Sequence, residues 1–199
     1  MDDLTIQAYD RDPDTYADDW SAQPAPSDLH ALVLTYFRPG PTADVGCGSG
    51  RDTAWLRSEG FDAVGFDVSE GLLAEARRRH PQIEFSRASL PDLAGIAEGS
   101  FENVLCETVI MHMAVPDIDP SVKRMLAILR DGGTLYLSWR VTVGEDHRTH
   151  DGRLYSAFDT SVVNEALDGV SVLHDSESVS ASSGRKVHRI VARKDALAP

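Results

Sequence analysis

The stretch Asp44-Val45-Gly46-Cys47-Gly48-Ser49-Gly50 decides the fold. The apolar residues 43–45 predict a buried strand before the glycines, and residues 51–57 predict the start of a helix after them. Three glycines at alternate positions let the backbone approach a ligand closely, because no Cβ intervenes. The spacing Gly-x-Gly-x-Gly is neither the Gly-x-Gly-x-x-Gly of dinucleotide-binding enzymes nor a phosphate loop, which ends in Gly-Lys-Ser/Thr. The stretch therefore predicts a ligand-binding corner of an α/β fold.

Two acidic residues accompany this corner. Asp44 ends the predicted strand, where a carboxylate would repel a pyrophosphate and attract an ammonium or sulfonium group. Asp67 follows Gly46 by 21 residues and ends the next predicted strand, where an acid suits a ribose diol. A ligand that has a cationic head and a ribose but no phosphate is S-adenosylmethionine.

Three motifs in order resemble the class I S-adenosylmethionine-dependent methyltransferases, most closely the small bacterial methyltransferase-domain proteins. They are residues 44–50, residues 65–77 (Gly-Phe-Asp-Val-Ser-Glu-Gly-Leu-Leu-Ala-Glu-Ala-Arg) and residues 129–138 (Leu-Arg-Asp-Gly-Gly-Thr-Leu-Tyr-Leu-Ser). The resemblance covers about residues 1–194. It implies an α/β, Rossmann-like, doubly wound seven-stranded sheet of order 3-2-1-4-5-7-6, with strand 7 antiparallel. The alternative is a Rossmann-type fold for another nucleotide, which Asp44 and the glycine spacing serve poorly.

The resemblance also implies the cofactor S-adenosyl-L-methionine and the product S-adenosyl-L-homocysteine. The acid that the family often places after the third strand, at the adenine, is missing from residues 86–91, and Asp92 is a shifted candidate. The residues expected to contact the cofactor are Asp44, Gly46, Cys47, Gly48, Gly50, Arg51, Asp67, Val68, Ser89, Leu90, Glu107, Thr108, His112, Tyr9 and Tyr16.

The length of 199 residues predicts one methyltransferase domain over 1–199. Within it we expect a helical cap or lid over 1–40, a cofactor-binding core over 41–143, and a substrate-side loop, helix and hairpin over 144–199. Residues 1–21 carry Tyr9, Tyr16 and Trp20 among aspartates. A surface helix that packs its aromatic rings on the domain and a lid over the cofactor both fit this segment.

Composition limits the partners. A net charge of −13 argues against nucleic acid as substrate and against an anionic membrane surface. Two cysteines in apolar strand-end contexts indicate reduced thiols in the cytoplasm. No signal peptide and no apolar run of membrane-spanning length are evident. We expect a cytoplasmic monomer or homodimer that takes a small-molecule substrate.

Candidate substrate residues follow the fourth and fifth predicted strands. His112 could accept a proton from a substrate or could orient its loop through a hydrogen bond, and we favour the structural role. Arg140, Arg153 and Tyr155 could bind a carboxylate or phosphonate, and Arg185 could return to the same site; surface ion pairs are the alternative for the arginines. His147 and His150 have metal-ligand spacing, but a pair of solvated histidines is the better interpretation, so no metal is expected.

The predicted function is in-line methyl transfer from S-adenosylmethionine to a small molecule. Because charge on sulfur disappears as its bond to the methyl breaks, the protein's main task is to hold the acceptor close and aligned. A general base is needed only where the acceptor must lose a proton. The alternatives are a non-catalytic S-adenosylmethionine/S-adenosylhomocysteine-binding module and a protein methyltransferase. The accepting atom (O, N, C or S) stays open.

Overall fold

The computed structural model describes residues 1–195, in which helices and strands alternate as the sequence predicts. The helices are α1 (Asp3–Arg11), α2 (Pro13–Ala22), α3 (Ser27–Tyr36), α4 (Arg51–Ser58), α5 (Glu70–Arg79), α6 (Ile118–Ile128) and α7 (Ser161–Ala166). The strands are β1 (Pro41–Val45), β2 (Asp62–Asp67), β3 (Phe85–Arg87), β4 (Phe101–Cys106), β5 (Leu129–Arg140), β6 (His147–Arg148), β7 (Leu154–Tyr155), β8 (Ser171–Val179) and β9 (Lys186–Arg193).

Seven strands form one sheet in the order β3-β2-β1-β4-β5-β9-β8. Strands β1 to β5 are parallel, and β9 runs antiparallel between β5 and β8. The two short strands β6 and β7 pair separately. When only the strands of the large sheet are numbered, the order is 3-2-1-4-5-7-6 with strand 7 antiparallel, so the predicted Rossmann-like fold is confirmed.

Apolar side chains cover both faces of the sheet, because neighbouring residues of a strand point in opposite directions. On one face, Val104 and Leu135 pack with α6 and α7. On the other face, Leu105 and Tyr136 pack with Leu29, Val33 and Leu56 of α3 and α4. This double cover leaves the carboxyl ends of the parallel strands as the open edge at which ligands bind in such sheets.

Local sequence signals explain where the helix after β2 begins and ends. The Ser69 side chain accepts a hydrogen bond from the backbone N–H of Leu72, which caps the N-terminus of α5. Three arginines, 77–79, occupy the last turn, where the helix dipole favours positive charge. His80-Pro81 then ends the helix. The cap places Asp67 directly before the helix, at the edge of the sheet.

The structure differs from the predicted elements at three places. Residues 1–21 form two helices rather than one, because Asp12-Pro13 starts α2 as a new helix. Strand β5 begins at Leu129 and runs through Asp131-Gly132-Gly133, a sequence typical of a turn, and its pairing with β4 shifts register between Phe101 and Asn103. Residues 147–155 form the small β6–β7 hairpin, for which the polar sequence carries no strand pattern.

Among residues 1–195, no helix combines the length and apolar character needed to cross a bilayer.

Candidate functional site

The glycine corner joins β1 to α4 in a conformation that needs glycine. Gly46, Gly48 and Gly50 have φ angles of 77°, 54° and 83°, which side-chain-bearing residues rarely adopt. The neighbours of the corner are also close. A Cβ at Gly46 would lie 2.3 Å from Val109 Cγ2, and one at Gly48 would lie 2.8 Å from the Trp20 ring. The glycine corner thus presents backbone that packs against the loop after β4 and against α2.

A cavity of about 170 Å³ lies beside this corner at the carboxyl edge of the sheet. Its walls come from α1, α2, the glycine corner, the ends of β2, β4 and β5, the β6–β7 hairpin and the β8–β9 loop. The residues that line it are Met1, Thr5, Ile6, Tyr9, Trp20, Gln23, Gly46, Cys47, Gly48, Ser49, Arg51, Asp52, Asp67, Val68, Leu72, Glu107, Thr108, Val109, Met111, His112, Arg140, Arg153, Tyr155, Ser180, Ser182 and Ser183.

Asp67 lies at the cavity wall and is held by backbone donors. Its Oδ2 accepts the N–H of Gly48 at 2.8 Å, and its Oδ1 accepts the N–H of Ser69 at 2.9 Å. Burial raises the pKa of Asp67, while these two N–H groups act to lower it. Each oxygen keeps a free lone pair, since a carboxylate oxygen can accept two hydrogen bonds. The carboxylate can therefore accept hydroxyl groups from a ligand in the cavity.

Asp44 does not line the cavity, in contrast to the expectation that it lies beside a cationic ligand group. The pleat of β1 turns its side chain under the glycine corner, where it is 2% exposed and accepts a hydrogen bond from Thr53 Oγ1 of α4 at 2.6 Å. Burial and the neighbouring Asp52 raise the pKa of Asp44 to about 8. Asp44 thus connects β1 to α4 and supports the corner from below.

The end of β4 contributes a second buried carboxylate. Glu107 accepts hydrogen bonds from the Tyr136 hydroxyl at 2.8 Å and from the Ser138 hydroxyl. Burial raises its pKa, and the Ser138 hydrogen bond acts against that rise. The next residue, Thr108, has a φ of 54°, which is strained for a β-branched side chain. Its N–H donates to the Ser138 carbonyl at 3.1 Å, which ties this strained residue to β5.

His112 connects three elements around the cavity. Its Nδ1 lies 2.5 Å from the carbonyl oxygen of Leu154, and its Nε2 lies 3.1 Å from the Tyr9 hydroxyl. A carbonyl oxygen can only accept a hydrogen bond, so Nδ1 carries the proton of the imidazole. Nε2 therefore accepts a hydrogen bond from the Tyr9 hydroxyl. Burial lowers the pKa of His112 to about 4. The imidazole is therefore neutral at physiological pH, and both of its nitrogens are engaged by the protein.

The three predicted arginine and tyrosine positions lie together at the cavity. The guanidinium of Arg153 binds Asp151 Oδ2 through Nε at 2.9 Å and lies over the rings of Tyr9 and Tyr16. The guanidinium of Arg140 lies 5.0 Å from the centre of the Tyr155 ring. Arginine stacks readily on aromatic faces, so both side chains have a fixed position at the wall.

Comparisons with known proteins agree with this architecture. The sequence model of a methyltransferase-domain family matches residues 43–133. The chain is 32% identical over 132 residues to a ubiquinone biosynthesis O-methyltransferase of Xanthomonas campestris pv. campestris, which covers 60% of the chain and 54% of that protein. It is 32% identical over 105 residues to a demethylmenaquinone methyltransferase of Beutenbergia cavernae, a match that covers 51% of the chain and 41% of that protein. The chain thus spans about half the length of these curated relatives.

Solved structures share the fold over most of the chain. A Burkholderia thailandensis 1,6-didemethyltoxoflavin-N1-methyltransferase, solved with 1,6-didemethyltoxoflavin and S-adenosylhomocysteine, has a TM-score of 0.70 at 24% identity and covers 96% of this chain and 85% of its own. An S-adenosylmethionine-dependent methyltransferase of Methanosarcina mazei has a TM-score of 0.71 at 15% identity, and the match covers 83% of this chain and 97% of that protein. The fold is that of the S-adenosylmethionine-dependent methyltransferases.

The cavity beside the glycine corner has groups that fit S-adenosylmethionine. Asp67 has free acceptor capacity at the wall for ribose hydroxyls, and the glycine corner leaves room for close backbone approach. Arg51, Asp52 and Glu107 lie at the same wall, where their polar side chains suit the amino-acid part of the cofactor. The argument against the phosphate-binding alternative is the glycine spacing, which matches neither a dinucleotide-binding motif nor a phosphate loop.

Ten of the fifteen expected cofactor residues line the cavity, and all four expected catalytic or substrate residues do. Besides Asp44, four do not. Gly50 faces the rings of Phe85 and His80, Leu90 is buried in the core, and the Ser89 hydroxyl donates to the Leu90 carbonyl. Tyr16 packs behind Tyr9, with ring centres 4.9 Å apart. Of these four, Tyr16 thus acts on the cavity by supporting Tyr9, which does line it.

The sequence did not predict the part of the cavity wall that the N-terminal residues and the β8–β9 loop form. Met1, Thr5, Ile6 and Gln23 line the cavity, as do three serines of the β8–β9 loop, Ser180, Ser182 and Ser183. Trp20 was singled out only as one of the aromatic residues of the N-terminal segment. No motif marks these positions, because they reach the cavity through tertiary docking.

Arg185 is exposed and does not line the cavity. Among residues 1–195, no group of three metal-ligand side chains occurs.

Proposed function

We propose that the chain is an S-adenosylmethionine-dependent methyltransferase that acts on a small-molecule acceptor by in-line transfer. One observation carries this proposal: a single cavity has the glycine corner and Asp67 on one wall and His112, Arg140 and Tyr155 on another. The first wall suits the cofactor, and the second offers groups that can orient an acceptor. Relatives named for quinone biosynthesis and a structural neighbour with bound 1,6-didemethyltoxoflavin support a small acceptor.

The cofactor, when bound, supplies an electrophilic methyl group on a sulfonium. The chain's own residues then have to hold the acceptor close and keep water out. Tyr9 and Trp20 cover the glycine corner and the β4 end, which encloses the site. Holding the acceptor in an aligned position can lower the barrier by several kcal/mol, on the order of 7 or more in the most favourable intramolecular models.

Tyr9 and His112 can remove a proton where the acceptor is a hydroxyl. The Tyr9 hydroxyl donates to His112 Nε2, so its oxygen can accept the acceptor's proton as its own proton passes to the imidazole. The imidazole is neutral at pH 7 because its pKa is lowered to about 4, and so weak a base suits an acceptor hydroxyl that is itself acidic. His112 therefore acts through Tyr9, which combines its structural role with proton transfer.

The small-molecule assignment is favoured over a protein substrate. The helices α1 and α2 lie over the cavity, and their residues Thr5, Tyr9 and Trp20 form part of its wall. A peptide substrate would need an open groove at the same place.

We further propose a cytoplasmic location, because both cysteines are free and buried, as suits a reducing compartment. The division into cap, cofactor core and substrate-side segment stays part of this proposal.

Calorimetric titration with S-adenosylmethionine and S-adenosylhomocysteine tests the cofactor assignment. We expect Asp67→Ala to weaken binding by about 2–3 kcal/mol, because it removes a charged acceptor for the ribose. Asp92→Ala is the matched control, since Asp92 is an exposed acid outside the cavity and should leave binding unchanged. Circular dichroism checks that Asp67→Ala is folded.

Each result of this titration has a defined meaning. Absence of cofactor binding by the wild-type protein would refute the methyltransferase proposal and leave only the fold. Binding that Asp92→Ala weakens as much as Asp67→Ala would refute the placement of the ribose. Where the cofactor binds, formation of S-adenosylhomocysteine with a metabolite pool separates an enzyme from a non-catalytic cofactor-binding module.

A further inference from the structure

Three arginines line the cavity, and two of them are paired with acids. Arg51 binds Asp52 through two hydrogen bonds of 2.9 Å. Arg153 binds Asp151 at 2.9 Å. The guanidinium of Arg140 makes no hydrogen bond and no ion pair with any residue of the described chain, 1–195, and lies half-buried over the Tyr155 ring. The charge of Arg140 is therefore left for a group that the protein itself does not supply.

The lack of a partner for Arg140 is not explained by a shortage of acids. The chain has 32 aspartates and glutamates against 19 lysines and arginines. The acids at the cavity wall are already engaged: Asp52 with Arg51, Asp67 with backbone N–H groups, and Glu107 with two hydroxyls. A surface ion pair, the simplest alternative for Arg140, is thus absent within residues 1–195. A half-buried cation at a cavity wall gains most from an anion that enters the cavity.

The surroundings of Arg140 define the shape of that anion. Stacking over Tyr155 fixes the plane of the guanidinium, whose paired N–H groups match the two oxygens of a carboxylate. Beyond Tyr155 the wall continues through aromatic rings that meet edge to face. The Tyr155 and His112 ring centres are 4.8 Å apart at an interplanar angle of 69°, and those of His112 and Tyr9 are 5.9 Å apart at 79°. A flat ring can pack against one of these rings while its carboxylate reaches Arg140.

We propose that Arg140 binds a carboxylate on the acceptor, so that the substrates are small ring compounds that carry a carboxylic acid. This inference rests on the proposed function, because it assigns the acceptor side of the same cavity. It goes further by selecting Arg140 over Arg153, whose guanidinium is already bound to Asp151. It assigns Arg140 to binding and orienting the acceptor, with no part in bond breaking.

Matched pairs of probes test the proposal by calorimetry, with and without S-adenosylhomocysteine. The acids are benzoate, salicylate and 4-hydroxybenzoate, and the neutral partners are the corresponding amides, which keep the ring and the planar head. We expect the acids to bind about tenfold or more tightly than the amides, a ratio that corresponds to about 1.4 kcal/mol. The Arg140 Nε–H resonance, assigned by its loss in Arg140→Lys, should shift when an acid is added.

Variants separate the Arg140 charge from general packing. Arg140→Gln should abolish the preference for acids, and Arg140→Lys should retain part of it, because a lysine keeps the charge without the bidentate fork. Arg185→Gln removes an equal charge from an exposed position outside the cavity and should keep the full preference. Thermal unfolding of Arg140→Gln and Arg140→Lys confirms that both variants fold.

Several results would overturn the proposal. Equal affinity for acids and amides would do so, as would a preference that persists in Arg140→Gln. Failure of every acid to bind with a Kd below about 10 mM would count against it in the same way. The two proposals are tested by separate titrations. Absence of S-adenosylhomocysteine binding would remove the methyltransferase assignment. The titration of acids and amides without cofactor would still decide the role of Arg140.

Discussion

The contact between the Tyr9 hydroxyl and His112 Nε2 has two separable consequences. It joins α1 to the loop after β4, since Tyr9 and His112 are 103 residues apart in sequence. It also gives the tyrosine oxygen a route for a proton into a neutral imidazole. A hydrogen bond that only positions the loop would affect stability, whereas a proton relay would affect the rate of methyl transfer. Removing the hydroxyl alone therefore distinguishes these roles.

We expect Tyr9→Phe to lower kcat about 100-fold on a hydroxyl acceptor while S-adenosylhomocysteine binds with nearly unchanged affinity. The size follows from the usual contribution of general acid–base catalysis. The loss of one hydrogen bond should lower the free energy of unfolding by about 1 kcal/mol. Steady-state kinetics and calorimetry measure these two effects. Tyr36→Phe, which removes a hydroxyl far from the cavity at Leu173, is the control. An unchanged kcat in Tyr9→Phe would leave His112 with a purely structural role.

At the scale of elements, the two N-terminal helices are attached to the core on both sides of the cavity. On one side, Asp10 accepts hydrogen bonds from Ser69 and Gly71 at the start of α5. On the other side, Arg148 of the β6–β7 hairpin binds Asp2 through two hydrogen bonds of 2.9 and 3.0 Å. The aspartates of the N-terminal segment thus serve as attachment points, which explains why an acidic helix pair can lie over the cavity.

The Arg148–Asp2 pair makes a prediction about the mobility of α1. The hydrogen bond from Arg148 lowers the pKa of Asp2, so the pair is fully ionised near neutral pH. We expect Arg148→Gln to speed hydrogen exchange of the α1 amides severalfold, because local opening becomes easier, and to leave exchange in β4 and β5 unchanged. Mass-spectrometric hydrogen exchange measures this. The control is Lys123→Gln, which removes an exposed pair with Asp119 within α6. Equal exchange of α1 in Arg148→Gln and wild type would show that this pair does not hold the helix.

At the scale of the whole molecule, the sequence predicted the sheet and two walls of the cavity, but not the part of the wall that comes from Met1, Thr5, Ile6, Gln23 and the β8–β9 loop. The glycine spacing, the acid at Asp67 and the 129–138 motif are local signals, and the family resemblance that they carry implied the strand order. The position of Trp20 against Gly48 depends on how α2 packs on the core, which no local pattern contains. Asp44 was misplaced for a related reason, since its position at a strand end does not reveal which way the pleat turns its side chain.

Buried acids give the molecule a pH-dependent stability. Burial raises the pKa values of Asp44, Asp67 and Glu107 above those of an unfolded chain. The folded state therefore binds more protons than the unfolded state, and stability is lost as pH rises towards the folded pKa values. The lowered pKa of His112 acts in the opposite direction, but only between about 4 and its ordinary value of 6.5. Between about pH 6.5 and 8 the slope is assigned to Asp44, whose pKa is raised to about 8.

Asp44 should dominate that slope, because its pKa is raised to about 8. As pH rises, a single group that is protonated in the folded state and ionised in the unfolded state lowers the free energy of unfolding by about 1.4 kcal/mol per pH unit. We expect Asp44→Asn to flatten the fall of stability between about pH 6.5 and 8 by this amount, since an amide does not titrate. Denaturant unfolding at a series of pH values measures it. Asp92→Asn makes the same chemical substitution at an exposed position and should keep the wild-type slope. A slope that Asp44→Asn leaves unaltered would mean that Asp44 is ionised beneath the glycine corner.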